Sequence, residues 1–348
     1  MEQRASNQSG FQIGQGEWQA EPVVILSDRT SGSEARIAYG IGANCIGWSV
    51  TKNQQVYEIL EAPLSPPDLK SGKFKAGIPI LWPFPGRVRD ARYRFEGKEY
   101  KLPVTDKGGV HHIHGVLIKA AWKIASQGTG PEGSYVDLRI TPEDLDEDMR
   151  AGYPFDFALT LRLTLAGPSL TYTLRVDNRS ADQPLPFGYG LHPYFRAPLA
   201  VSNLTPDRSH CEVRIPAAKR WPATGGLPDG APEPVSPEDD FQEWRPLGAS
   251  HFDHMYSDIK FEGDWSVAGY RDPGAGLQVL VKADHLCHDW VLFTQPNRPS
   301  ICIEPYSCPP NAINFEEENL SDSHLLVVAP GQSWQGQVVF EVSEYQGI

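Results

Sequence analysis

The sequence predicts an all-β protein, built as one large antiparallel domain. Three observations carry that reading. Apolar and polar residues alternate with period two from end to end of the 348 residues. No long stretch places apolar residues at i, i+3, i+4 and i+7, as an amphipathic helix requires. Pro (31) and Gly (32) are frequent and dispersed, as many turns between short strands demand.

The clearest alternation runs over 155–165, where Phe155, Phe157, Leu159, Leu161, Leu163 and Leu165 share one face. Gly167-Pro168-Ser169 follows, and then Leu170, Tyr172, Leu174 and Val176 alternate again, which predicts a hairpin. Further strands are expected at 135–141, 290–294, 300–304 and 336–342. The Pro-, Gly- and acid-rich stretch 222–240 is expected to be a long surface loop. Residues 1–17 are expected to form a flexible tail, and 18–348 a single domain.

Net charge is −13, from 31 Lys+Arg against 44 Asp+Glu. That sign argues against nucleic acid or an anionic membrane as the main partner, since both reward clustered positive charge. No run of about 18 apolar residues offers a membrane span, and the polar N-terminus lacks a secretory apolar core. Five scattered cysteines without CxxC spacing fit neither a disulfide framework nor a zinc knuckle. Reduced thiols in the cytoplasm are expected, with the chain a monomer or homodimer.

Four constellations offer chemistry. In Gly108-Gly109-Val110-His111-His112-Ile113-His114-Gly115, three histidines invite a metal, but a strand puts only His112 and His114 on one face. Loop or core histidines are the bland alternative. A polar catalytic or binding role for His114 is favoured by glycines that admit a close neighbour. In Pro186-Phe187-Gly188-Tyr189-Gly190-Leu191-His192, one face carries Phe187, Tyr189 and Leu191, and the other only Gly188, Gly190 and His192. That pattern reads as a cleared ligand platform with an imidazole at its end. The competing reading is a glycine bulge with His192 capping a turn.

In Ser300-Ile301-Cys302-Ile303-Glu304-Pro305-Tyr306, Ile301 and Ile303 are expected in the core, with Cys302 and Glu304 facing away. Pro305 is expected to end the ladder and leave Glu304 at the sheet's lip, partly desolvated and so a good base. A structural ion pair is the alternative there. Asp253 and Arg87 are weak candidates alone, suited to sugar hydroxyls beside an aromatic drawn from Trp82, Phe84, Tyr194 and Tyr306. There is no GxSxG elbow, P-loop, HExxH or complete dinucleotide fingerprint.

Together, Gly77-Ile78-Pro79-Ile80-Leu81-Trp82-Pro83-Phe84-Pro85-Gly86-Arg87, Ile113-His114-Gly115, Leu191-His192-Pro193-Tyr194-Phe195 and Cys302-Ile303-Glu304-Pro305-Tyr306 resemble the aldose 1-epimerases, the galactose mutarotase-like proteins. Leu227-Pro228-Asp229-Gly230 and Phe252-Asp253-His254 add to the resemblance, which runs from about residue 23 to 342. It implies a large β-sandwich of the galactose mutarotase-like supersandwich type, a small-molecule sugar substrate and no cofactor or metal. It implies Glu304 as general base, His192 as general acid and His114 as a second active-site histidine. Arg87 and Asp253 would hold hydroxyls, with His112, Trp82 and Tyr306 as further substrate-binding residues. Where the family often continues HGF and an arginine, this chain has Val116-Leu117-Ile118-Lys119 after Gly115. The expected reaction is anomer exchange on a free aldohexose. A hexose 6-phosphate held by Lys119, Arg87 and Arg89 is an alternative, as is a binding protein of the same fold.

Overall fold

The computed structural model describes residues 10–72, 76–199, 207–285, 287–296, 298, 300–315, 318, 320 and 323–345. Its helices among these are single short turns, the longest being Pro66–Ser71 and Glu147–Gly152. None is long and apolar enough to cross a membrane.

Two sheets form the sandwich. The larger has nine strands in the order Lys123–Gly130, Gly133–Ile140, Phe157–Ala166, Ser169–Asn178, Ser333–Glu344, Leu277–Asp284, Trp265–Asp272, Glu212–Arg214 and Arg245–Pro246. The predicted hairpin is its centre, with Leu161 opposite Leu174 and Leu163 opposite Tyr172. Leu159, Leu161, Leu163, Leu165, Leu170, Tyr172, Leu174 and Val176 are fully buried, while Arg162 and Arg175 between them reach solvent. Each fully buried leucine contributes about 1.5–3 kcal/mol.

The second sheet has eight strands. Seven run in the order Glu233–Pro234, Ala217–Arg220, Asp253–Ile259, Asp289–Phe293, Ser300–Tyr306, Gly190–Leu191 and Ile80–Leu81, with Phe195–Arg196 also pairing the Ser300–Tyr306 strand. One face supplies Tyr256, Trp290, Leu292, Ile301 and Ile303 to the main core, where they join Val338, Phe340 and Val342 of the larger sheet. Phe195 meets Phe340 across the gap at 5.8 Å between ring centroids. A five-stranded meander from Phe11–Trp18 to Gln55–Glu58 packs against the larger sheet.

Two expectations need correction here. The tail expected over 1–17 does not extend that far, because Phe11–Trp18 pairs in full register with Glu21–Asp28. Residues 1–9 lie outside the described residues. The stretch 222–240 is not a plain loop: Ala223–Thr224 pairs Leu227–Pro228, and Glu233–Pro234 joins the second sheet.

Candidate active site

The outward face of the second sheet is fixed by register. Asp253 lies opposite Phe293, which lies opposite Cys302; Met255 lies opposite Val291, which lies opposite Glu304. Directly opposed residues share a face, so these six side chains stand together. Of these, Met255, Val291 and Phe293 join Tyr306, Leu81, Trp221 and Phe315 in a small apolar floor separate from the main core. Above it is a cavity of about 700 Å³ lined by Arg87, His114, His192, Tyr194, Asp253, Phe293, Glu304 and Tyr306, among others.

Alternation placed Glu304 on the correct face but not at the correct depth. Pro305 does not end the ladder: it pairs with Trp290, and Tyr306 pairs with both Asp289 and Gly190. Proline is accommodated because the other side of this strand is paired only at Ser300, Ile301 and Tyr306 among the described residues. Glu304 is therefore central in the sheet and 1% exposed. Its Oε2 accepts the Tyr306 hydroxyl at 2.9 Å, and its Oε1 lies 3.4 Å from His192 Nε2. Burial and the Glu304 charge hold the Tyr306 phenol well above its ordinary range, so Tyr306 stays a donor at working pH.

His192 arrives on the stretch after Gly190–Leu191, tied down by its backbone N–H donating to Pro79 O. The ring stacks on Tyr194 at 4.5 Å and 5° between planes, with the edge of Phe293 at 5.8 Å and His114 at 5.4 Å. Tyr194 OH is 3.3 Å from His192 Nε2. The other partner of Tyr194 is Arg298, 5.4 Å from the ring centroid and clamped to Glu61 by two contacts of 2.8 Å. This stack orients the imidazole. Tyr194→Leu is expected to move the pH dependence of turnover rather than KM, checked by pH–rate profiles.

The glycine face before His192 is not an empty platform. A Cβ on Gly190 would stand 2.7 Å from Tyr306 Cδ1, and one on Gly188 would overlap Cys308 Sγ, so these glycines admit neighbouring side chains. The opposite face, Phe187, Tyr189 and Leu191, is buried as expected.

His114 and Arg87 come from a two-stranded pair, Arg87–Val88 against His112–Ile113. His114 has φ 65, a left-handed conformation, and its N–H donates to Gly86 O at 2.7 Å. Gly115 follows at φ 73, where a Cβ would overlap the Trp82 carbonyl. Gly115→Ala is expected to cost about 3 kcal/mol, read as a lowered denaturation midpoint. It should also displace His114.

The three histidines of this segment diverge. His111 Nδ1 accepts from the Asp90 backbone, His114 faces the cavity, and His112 is fully buried with Nδ1 2.7 Å from Pro103 O. His112 therefore does not line the site: strand alternation ends at the left-handed turn of His114. Trp82 does not line it either. It is fully buried, 4.5 Å from Phe157 and 5.1 Å from Tyr153, and belongs to the main core. Phe84 packs there also, against Tyr93.

Burial holds His112 below its ordinary value of 6.5, and does the same to His254 and His288. The unfolded chain then binds more protons below about pH 6.5, so stability is present above that value and lost as pH falls through it. The midpoint of thermal unfolding is expected to drop on acidification from pH 6.5 to 5, above the range where carboxylates titrate. His112 alone contributes up to about 1.4 kcal/mol per pH unit, so His112→Gln should flatten the slope.

Sequence reasoning missed two parts of the site. Phe293 is the partly exposed cavity aromatic whose ring lies 5.8 Å from His192; its alternation with Val291 was the available signal. Gly226 abuts the Arg87 guanidinium, where a Cβ would overlap it, so the 222–240 segment walls the cavity. Arg89 is turned away, paired with Glu318 at 2.9 Å.

Residues 24–341 match the family model described as aldose 1-epimerase. The chain is 25% identical over 241 residues to the uncharacterized protein YihR of Escherichia coli (strain K12), covering 68% of this chain and 71% of that one. It is 24% identical over 288 residues to the uncharacterized protein YphB of the same organism, covering 80% and 89%. Its fold is similar to that of a galactose mutarotase-like protein from Clostridium acetobutylicum, with TM-score 0.84, 21% identity and coverage of 97% and 100%. It is also similar to galactose 1-epimerase from Lactobacillus acidophilus NCFM, with TM-score 0.73, 19% identity and the same coverage. With all but the ends of the sandwich matched, the chain belongs to the aldose 1-epimerase family.

Proposed function

We propose that the protein interconverts the α and β anomers of a free aldohexose by opening and reclosing the ring. The observation that supports this most is the 3.4 Å contact between Glu304 and His192 at the floor of the cavity. The two oxygens that must exchange protons, the C1 hydroxyl and the ring oxygen, are bonded to the same carbon. Acid and base must then stand side by side, and a carboxylate and imidazolium so placed stabilise each other's charged forms.

Glu304 takes the C1 hydroxyl proton as C1=O forms and the bond from C1 to the ring oxygen breaks. That oxygen takes the proton of His192. C1 rotates, the oxygen adds to its other face and returns the proton to His192, and Glu304 reprotonates O1. Every step is a proton transfer or a polar bond change, so neither a redox cofactor nor a metal is required by the chemistry. Tyr306 holds the Glu304 carboxylate, His114 polarises the oxygens of the opened sugar, and Arg87 and Asp253 hold hydroxyls.

The cavity's charge favours a neutral sugar over a phosphate. Among the described residues, Arg87, Lys107 and Lys119 line it with five carboxylates, those of Asp106, Asp144, Asp146, Asp253 and Glu304. A polarimetric assay on freshly dissolved α-glucose and α-galactose, and on their 6-phosphates, tests both points. Faster relaxation of the free sugars is expected. Preference for the phosphates would overturn the substrate reading, and no acceleration of any aldose would overturn the enzyme reading.

A further inference from the structure

Cys302 takes no part in these proton transfers, yet it leaves the strand two residues before Glu304 and on the same face. Its sulfur, a carboxylate oxygen of Glu304 and an imidazole nitrogen of His192 lie within 4.8 Å of one another, with all three side chains buried. Thiolate, imidazole and carboxylate are the donors of zinc sites that keep one position open. With bonds of about 2.0–2.3 Å, donors around a tetrahedral Zn²⁺ stand roughly 3.3–3.7 Å apart. The imidazole and carboxylate already stand 3.4 Å apart. The sulfur has to close in by about 1 Å or less, within reach of a side-chain adjustment. The fourth position would open into the cavity that His192 and Glu304 line.

We propose that His192, Cys302 and Glu304 form a binding site for a thiophilic divalent cation, Zn²⁺, which excludes the sugar and switches the reaction off. Binding sends the thiol proton and the acid proton of His192 to solvent, so that thiolate and neutral imidazole face the ion; no electrons are transferred. The ion occupies the place of O1 and the ring oxygen, so ion and sugar compete. The inhibition rests on the reaction proposed above, whereas the binding does not.

Two readouts separate them. Co²⁺, added to the metal-free protein as a spectroscopic stand-in, is expected to give a sulfur-to-metal charge-transfer band in wild type. Cys302→Ala and Cys302→Ser should lose it. The four other cysteines, all buried thiols in the same fold, remain as internal controls. In the assay, Zn²⁺ should inhibit wild type competitively with sugar, and a chelator should reverse it. Either variant should keep turnover and need about tenfold or more Zn²⁺ for the same inhibition. No band in wild type, a band kept by both variants, or equal Zn²⁺ sensitivity in all three proteins would overturn the proposal. A protein that shows the band but turns over no sugar would retain the site and lose only the reaction.

Discussion

Glu304→Gln is expected to lower kcat for anomer exchange by about 10²–10⁴-fold, the usual worth of a positioned general base. The substitution keeps the side chain's shape and its place opposite Val291. The amide oxygen can still accept the Tyr306 hydroxyl, which now reaches Glu304 Oε2 at 2.9 Å. Stability and KM should therefore change little, and the loss should fall on kcat. Line-shape or polarimetric kinetics at several sugar concentrations separate the two constants. A proportionate rise in KM with kcat intact would mean that Glu304 only binds sugar.

His192→Asn is expected to cost about as much, again 10²–10⁴-fold in kcat. Asparagine can occupy the Tyr194 face but supplies no titratable proton to the departing ring oxygen. The double variant should lose less than the product of the single losses, because an acid and a base acting on one carbon work as a unit. In wild type, the acid and alkaline limbs of the pH–rate profile should report the paired acid and base as a unit. Tyr306 adds no limb near neutrality, since its phenol is held far above that range by burial and by Glu304.

Much of this was legible in period-two patterning, because strand alternation fixes faces whatever the tertiary context. It placed Leu159 to Val176 in the core and Glu304 on the face opposite Ile301 and Ile303. It could not show what lies across from a face. Gly190 meets Tyr306, 116 positions along the chain, so the apparent empty platform is filled by a partner that no local window contains. The same limit misplaced Pro305: whether a proline ends a ladder depends on which neighbours pair with its strand, and here one side is left open to it. Trp82 and His112 were expected to bind substrate from the motifs they stand in. Packing against Tyr153 and Phe157 buries Trp82 in the main core, and His112, next to the left-handed turn of His114, is buried against Pro103 O instead. The resemblance supplied Arg87 and Asp253, which alternation alone left among many charged residues.

The most direct test of the central claim follows the oxygen on C1. In the proposed reaction the bond to the ring oxygen breaks and O1 stays on carbon throughout. With α-glucose or α-galactose carrying ¹⁸O at C1, the protein should speed interconversion of anomers, while loss of label to water stays at the uncatalysed rate. Loss of label in step with anomer exchange would show that the C1–O1 bond breaks instead, and would contradict ring opening by Glu304 and His192.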